Sequence, residues 1–245
     1  MTPDLLLRTH TSAHQHEILK HGVKAFCVLG DVYRKDEIDA THYPVFHQME
    51  AVRLYRLEDL RNHALKLLSD NKYGGASAQV NELEAKDYDY FGEIVDTNNI
   101  VMRLVIDDLK ETHQQLMKYL FKDMNLEQRW NPDYFPFTEP SFELEIHLKD
   151  RWLEVLGSGI VHRQVLENAG IDPKEYIGWA SGVGLERLAM ILFDIPDIRL
   201  FWSRDERFIS QFTKDKVTKF KAFSKYPSCF KDVSFYVRYI KYEVA

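Results

Sequence analysis

The first group of residues able to do chemistry consists of an arginine at the end of a predicted strand and three residues of the next strand. Arg34 follows the apolar run Ala25–Tyr33, and a polar loop then leads into a second apolar run. A guanidinium in that place can bind phosphate oxygens, and Phe46 can stack on a base face with cation–π support. Gln48 and Glu50 are two residues apart, so they share one strand face and could hold an ammonium or a ribose. Strand-end arginines and alternating polar residues also occur in strands that bind nothing, so the spacing alone leaves both interpretations open.

A second polar group stands at the start of a predicted helix. The segment Arg8–Ser12 places hydroxyl and imidazole groups ahead of a helix expected over Ala13–Gly22. Backbone N–H groups and the helix dipole favour anions such as a carboxylate at that end, near His10, Ser12 and Gln15. N-capping by a threonine or a serine would explain the same residues without a ligand.

Two further segments carry aromatic rings and glycines. Phe135 and Phe137 flank a proline and could line an aromatic pocket, with core packing as the alternative. Glu139 could serve as a ligand for a hard cation, or could simply lie on the surface. In Gly178–Arg187, glycines allow a strand backbone to approach a ligand closely. Arg187 near a helix N-terminus opposes the helix dipole, which favours a polyanion nearby.

The elements that must position these residues follow from periodicity and turn signals. The expected strands are Ala25–Tyr33, Val45–Tyr55, Phe142–His147, Trp152–Leu156 and Trp179–Gly184. The expected helices are Ala13–Gly22, Ile100–Lys122, Arg163–Ala169 and Leu185–Phe193. Residues 57–95 are interpreted as a partly helical insertion, and Trp130–Phe137 as an aromatic segment. Strands and helices do not alternate, so the order predicts an antiparallel sheet flanked by helices, an α+β fold. No GxxxxGK[ST] motif is present, which excludes a P-loop nucleotide site.

Composition narrows the class of protein. The 245 residues are 45% hydrophobic and 29% charged, which is typical of a globular chain. The net charge of −6 argues against a nucleic-acid coat held by bulk positive charge. Residues 206–245 contain nine Lys/Arg and four Asp/Glu, whereas residues 1–205 contain 23 and 34. A basic tail after an acidic body indicates either a polyanion partner or a solvated surface.

Cysteines and apolar runs exclude other classes. Cys27 and Cys229 are isolated and have no metal-type spacing, which is typical of a reducing compartment, and Cys27 is expected to be buried. No apolar run is long enough to span a membrane. The N-terminus resembles neither a signal peptide nor a transit peptide, so the protein is expected to be cytoplasmic or to lack its natural N-terminus.

Taken together and in order, these segments resemble one family. Arg8–Ser12, the hairpin from Arg34 to Glu50 (motif 2), Phe135–Phe137, Glu154–Gly159 and Gly178–Arg187 (motif 3) resemble class II aminoacyl-tRNA synthetases, specifically phenylalanyl-tRNA synthetases. Pro196–Trp202 and Phe223–Ser228 resemble the single-chain organellar type of mitochondria and plastids. The resemblance implies a class II catalytic domain that activates phenylalanine with ATP and transfers it to tRNA(Phe), with Mg²⁺ bound.

The resemblance also implies a role for each matching residue. The catalytic residues would be Arg34 and Arg187. ATP would bind Arg34, His42, Phe46 and Arg187. Phenylalanine would bind His10, Ser12, Gln15, Gln48, Glu50, Phe135, Phe137 and Ala180. Mg²⁺ would bind Glu139 and Glu154.

The resemblance also predicts domain boundaries, and the sequence differs from the family pattern at one position of motif 3. Residues 1–205 would form the catalytic domain without motif 1, residues 206–219 a linker, and residues 220–245 a truncated start of a ferredoxin-like anticodon-binding domain. Ser181 stands where the family usually has phenylalanine, which would loosen the floor of the pocket. The alternatives are an inactive synthetase-like fragment or paralogue that binds tRNA or ATP, and a class II ligase for another amino acid. The organellar type implies a monomer in the mitochondrial matrix or a plastid, and no membrane partner.

Overall fold

The computed structural model describes residues 4–69, 96–122, 124, 126–148, 151–224, 226 and 229–236. The strands are β1 (Ala25–Tyr33), β2 (Val45–Arg56), β3 (Gln128–Phe135), β4 (Thr138–Leu148), β5 (Arg151–Val161) and β6 (Tyr176–Gly184). The helices are α1 (Gln15–Lys20), α2 (Leu57–Ser69), α3 (Asp96–Leu120), α4 (Arg163–Asn168), α5 (Leu185–Phe193) and α6 (Glu206–Ile209), with 3₁₀ helices at Thr11–His14 and Ile198–Trp202. The expected insertion begins as α2, and its remainder up to residue 95 lies outside the described residues.

The six strands form one antiparallel sheet in the order β1-β2-β6-β5-β4-β3. This confirms the predicted α+β class. The bounds of β1 and α5 are those predicted from the sequence. In contrast, β3 was not predicted, because Pro132 lies within it; β3 is an edge strand, where proline is tolerated.

One face of the sheet is covered by helices. Alternation along β2 and β6 points Ala51 and Trp179 toward α3, whose Val105 and Leu109 are fully buried against them. Together with α2 these side chains make a continuous apolar layer. No helix within the described ranges is both long and apolar enough to cross a bilayer.

The opposite face is covered over only part of its length. Val52 and Leu54 of β2 pack there with Leu19 of α1 and Leu166 of α4. Toward the other end of β2 the same face carries polar side chains and borders a cavity. The two small helices therefore seal one half of this face and leave the other half open to a ligand.

A carboxylate on α3 ties the covering helix to the sheet. Asp108 Oδ2 accepts hydrogen bonds from Trp179 Nε1 at 2.7 Å and from the Tyr55 hydroxyl. Arg53 Nη1 lies 3.3 Å from Asp108 Oδ1. Burial, followed by the hydrogen bond to Asp108, raises the pKa of Tyr55 well above its ordinary value. One side chain of α3 thus binds β2 and β6 at once.

Arg8 packs along the outer edge of β1. Its Nε and Nη2 donate to the backbone oxygen of Asp31 at 2.8 and 2.6 Å, and Nη2 also donates to Asp31 Oδ1 at 2.9 Å. The backbone N–H of Tyr33 donates to the oxygen of Arg8 at 2.8 Å. A Cβ at Gly30 would lie 2.4 Å from the Arg8 guanidinium, so the Arg8 side chain lies directly over this glycine.

The expectation that Cys27 is buried was wrong. Cys27 is exposed. It lies on the helix-covered side of the sheet, but α3 packs on the central strands β5 and β6 and leaves that side of the edge strand to solvent.

The segment after residue 205 packs against the end of α5, where the Phe193 ring contacts that of Phe212. In α6, Phe208 is buried and packs on the rings of Phe212 and Phe220. Gln211 exchanges two hydrogen bonds with the backbone of Lys221. Within residues 213–236, the described positions form neither helix nor strand. The start of a further domain at residues 220–245 therefore remains a prediction.

Removing the Asp108 carboxylate should destabilise the fold. We expect Asp108→Ala to lower the free energy of unfolding by about 2 kcal/mol, because it leaves the buried indole N–H of Trp179 without a partner. Urea denaturation measures this. The control is Glu111→Ala on the same helix, where an exposed hydrogen bond from Gln115 should contribute at most about 0.5 kcal/mol. Equal losses in the two variants would contradict the role given to Asp108.

Candidate active site

The open half of the sheet face borders a cavity of about 1060 Å³. Eleven of the fourteen residues assigned from the sequence border it: His10, Arg34, His42, Phe46, Gln48, Glu50, Phe135, Phe137, Glu154, Ala180 and Arg187. Segments far apart in the sequence are thus brought to one place. The strands β2, β5 and β6 supply most of the floor.

A buried carboxylate lies at the inner end of the cavity. Glu50 is 1% exposed and accepts hydrogen bonds from Ser12 Oγ at 2.8 Å, from Thr11 Oγ1 at 3.2 Å and from Gln15 Nε2. Gln48, two residues away on the same strand face, accepts from the backbone N–H of Thr11 at 3.3 Å. The N-terminal segment therefore closes over β2 through hydrogen bonds to these two side chains.

Burial sets the protonation of this end of the cavity. It raises the pKa of Glu50 to about 6, against the opposing effect of its hydrogen bonds from Ser12, Thr11 and Gln15. Burial, followed by the charge of Arg34, lowers the pKa of His10 to about 4. At neutral pH, Glu50 is charged and His10 is neutral. The result is a negative site suited to an ammonium group.

The opposite side of the cavity is cationic. The Arg34 guanidinium lies 5.0 Å from the centre of the Phe46 ring, and its Nε donates to the backbone oxygen of Thr9 at 3.2 Å. Arg34 is exposed, so its remaining N–H groups are available to an anion. The guanidinium and ring together can bind a phosphate and an aromatic base.

Arg187 approaches the cavity from the first turn of α5. Its Nη1 donates to the backbone oxygen of Glu154 at 3.1 Å and lies 3.5 Å from Glu154 Oε2. Glu154 faces Glu145 across the β4–β5 pair. Burial, followed by the charge of Glu154, raises the pKa of the nearby Glu143. Within the described part of the chain, no three potential ligands form a preassembled metal cluster.

Two aromatic rings make an apolar wall. Phe135 and Phe137 lie nearly parallel, 9° apart with centroids separated by 6.0 Å, and Phe137 also contacts the His10 ring. A Cβ at Gly157 would come within 2.7 Å of the Phe135 ring, so this wall depends on a glycine in β5. Both rings border the cavity.

Three of the expected residues do not border the cavity. Ser12 and Gln15 donate hydrogen bonds to the carboxylate of Glu50 and so fix its position. Glu139 lies apart: its Oε2 is 3.6 Å from His162 Nε2. The structure therefore does not bring Glu139 and Glu154 together as a pair of metal ligands.

The hydroxyl of Ser181 is held on the helix side of β6. His113 Nδ1 is 2.7 Å from the carbonyl oxygen of Leu109, so it donates there, and Nε2 accepts from Ser181 Oγ at 2.7 Å. Burial lowers the pKa of His113 and keeps the imidazole neutral. The Ser181 side chain is thus anchored to α3.

Two contributors were missed from the sequence. Thr11 is fully buried and binds both Gln48 and Glu50, yet a threonine at a helix start is usually explained by capping. Glu186 is 6% exposed and accepts from the backbone N–H of His47 at 2.8 Å. Its place in the first turn of α5 beside Arg187 is the only sequence signal for it.

The raised pKa of Glu50 predicts a pH-dependent contribution to stability. Between pH 4.5 and 6 the folded chain holds a proton on Glu50 that the unfolded chain has lost. Lowering the pH through that window should therefore stabilise the wild type relative to Glu50→Gln, by about 2 kcal/mol between pH 8 and pH 4.5. Urea denaturation of both proteins across this range measures the difference. A difference that does not change with pH would contradict the assignment.

Known proteins are similar to this chain over most of its length. The family described as tRNA synthetases class II core domain (F) matches residues 1–72 and 92–212. A mitochondrial phenylalanine--tRNA ligase of Mus musculus is 46% identical over 240 residues, which cover 95% of this chain and 49% of that protein. A chloroplastic/mitochondrial phenylalanine--tRNA ligase of Arabidopsis thaliana is 46% identical over 95% of this chain and 46% of that protein. A probable mitochondrial phenylalanine--tRNA ligase of Drosophila melanogaster is 48% identical, covering 95% of this chain and 52% of that protein.

The chain thus spans about half the length of the relatives it matches. The family match covers most of the chain. Of the residues that border the cavity, it includes all except Lys219. The chain belongs to the class II tRNA synthetase core domain family, type F.

Proposed function

We propose that this chain is the catalytic core of a phenylalanine–tRNA ligase, which activates phenylalanine with ATP to phenylalanyl-adenylate and passes the phenylalanyl group to tRNA(Phe). The observation that carries the proposal is the content of one cavity: two arginines, a buried carboxylate and a stacked pair of phenylalanines. These groups match the triphosphate, the ammonium and the phenyl ring of the two substrates. The names of the three relatives support the same reaction.

The first step needs charge neutralisation more than proton transfer. A carboxylate oxygen of phenylalanine attacks the α-phosphorus of ATP, a new O–P bond forms, and pyrophosphate leaves with the electrons of the broken bond. The attacking carboxylate is already ionised near pH 7, so the step needs no general base. Arg34 and Arg187 stabilise the negative charge that accumulates as the two anions meet. Phe46 stacks on adenine, and His42 contacts ATP from the loop before β2.

The amino acid is held between the negative and the aromatic ends of the cavity. Glu50 and Gln48 bind the ammonium, and His10 completes that end of the site. Ser12 and Gln15 act by fixing Glu50. Phe135, Phe137 and Ala180 enclose the phenyl ring and offer no partner for a tyrosine hydroxyl. A hydrophobic pocket rejects an added hydroxyl only by about 100-fold, so discrimination against tyrosine should be modest.

The carboxylates beside the cavity fit Mg²⁺ in the way this ion usually binds together with a nucleotide. Mg²⁺ commonly binds one or two carboxylates together with substrate phosphates. Glu154 borders the cavity beside Arg187, with Glu145 opposite it across the β4–β5 pair. Glu154 would hold the ion, which when bound lowers the charge on the phosphates. Glu139 faces His162 and has no such position.

The tRNA partner and the wider organisation are part of the same proposal. Residues 206–219 would connect the catalytic domain to an anticodon-binding domain that begins in residues 220–245. The basic character of residues 206–245 favours contact with tRNA. The names of the relatives favour a mitochondrion or a plastid, and the resemblance to the single-chain type favours a monomer.

The test is ATP–pyrophosphate exchange with the purified chain and a panel of amino acids. We expect phenylalanine to support exchange and tyrosine to support it weakly. Arg34→Ala and Arg187→Ala should each lower kcat/KM by about 100-fold or more, because each removes a cation from the transition state. Arg56→Ala is the matched control, since Arg56 lies at the far end of β2 and does not border the cavity.

The outcomes separate the alternatives. Exchange with another amino acid in place of phenylalanine would indicate a different class II ligase. A folded protein that gives no exchange with any amino acid, while still binding ATP, would indicate the inactive paralogue. Exchange that survives Arg34→Ala unchanged would overturn the role of that arginine.

A further inference from the structure

The loop that joins β1 to β2 carries His42 and follows Arg34, and its tip is internally folded. Asp39 Oδ1 accepts from the backbone N–H groups of Thr41 and His42 at 2.6 and 2.8 Å. The His42 ring Nδ1 lies 3.0 Å from the same carboxylate. Because the tip is a preformed turn, its orientation depends on what holds it against the rest of the molecule.

The 3₁₀ helix Ile198–Trp202 provides that contact. The backbone N–H of Ile198 donates to the carbonyl oxygen of Ala40 at 2.8 Å. The rings of Tyr43 and Trp202 stack at 5.5 Å with 17° between their planes. The loop is therefore fastened at its tip and at its return to β2.

Trp202 also contacts the strand that follows the loop. Its ring lies nearly parallel to that of His47, at 6.1 Å and 7°. The His47 Nδ1 is 2.6 Å from Glu186 Oε1, and Glu186 directly precedes Arg187. One indole thus contacts both ends of the segment between Tyr43 and His47, and His47 in turn contacts Glu186, the residue before Arg187.

We propose that Trp202 is a positioning residue for ATP, which holds the loop carrying His42 and the strand carrying Phe46 through its two ring contacts. The inference rests on the proposed function, because it assigns ATP to this side of the cavity. Trp202 itself does not border the cavity and is 40% exposed, so it neither touches the substrate nor forms part of the buried core. Its two ring contacts, with Tyr43 and with His47, lie on either side of Phe46 in the sequence.

Removing the indole should therefore affect one substrate more than the other. Loss of two aromatic contacts frees the loop, and binding ATP must then order it again. We expect Trp202→Ala to raise KM for ATP in the exchange assay by about 10-fold, with KM for phenylalanine and kcat changed less than about 2-fold. Trp202→Phe keeps a stacking ring and should restore most of the lost affinity.

A second variant and a control keep the test decisive. Tyr43→Ala removes one of the same ring contacts from the loop side and should raise KM for ATP in the same direction, even if Trp202→Ala fails to fold. Tyr119→Ala removes an exposed aromatic side chain from α3, away from the cavity, and should leave both KM values unchanged. Equal rises in both KM values, or no rise for ATP, would overturn the proposal.

Limited trypsin digestion gives a readout that does not need activity. Cleavage after Lys35, followed by mass spectrometry, should be faster in Trp202→Ala than in the wild type, and close to the wild-type rate in Trp202→Phe. If the wild type shows no exchange, the proposed function fails, and the cleavage rates alone decide whether Trp202 holds the loop. Equal cleavage in all variants would then overturn that role.

Discussion

Strand β2 pairs with β1 over Val45–Arg53 and with β6 over Gln48–Arg56, so its central residues are paired on both sides. This double pairing fixes the register, and the register fixes which side chains face the cavity. Phe46, Gln48 and Glu50 fall on one face because they alternate with residues that face the helices. A shift of one residue would turn the buried carboxylate toward α3 and the apolar residues toward the ligand. The site therefore depends on pairing more than on any single contact within it.

The charges of the cavity are separated by the same framework. The negative end lies deep, where burial raises the pKa of Glu50, while Arg34 and Arg187 lie closer to solvent. The acidic balance of residues 1–205 does not describe the cavity, because Arg34 and Arg187 place positive charge along one side of it. A low-dielectric interior strengthens each of these interactions relative to water.

The sequence alone predicted an element or a cavity residue correctly where the local pattern of residue types agrees with the position of that segment in the fold. The bounds of β1 and α5 follow from apolar patterns that end at clear breaks, and eleven expected residues meet in the cavity. Glu139 does not border the cavity, and it lies where the β4–β5 register shifts between Thr138 and Ser141, which a regular alternation along the strand does not predict. Cys27 was misjudged because an apolar run does not show whether its strand lies at the edge. The contacts of Trp202 join segments more than 150 residues apart, so no local pattern could predict them.

The contact of Arg8 with β1 has a consequence for how the molecule behaves among its neighbours. An edge strand exposes backbone N–H and C=O groups that can recruit a strand from another chain. Arg8 occupies the outward oxygen of Asp31 and the outward N–H of Tyr33, and it lays a charged side chain over Gly30. The end of β1 nearest the active site is thereby closed to strand addition, and self-association through this edge is restricted to Ala25–Leu29, where Cys27 and Leu29 are exposed.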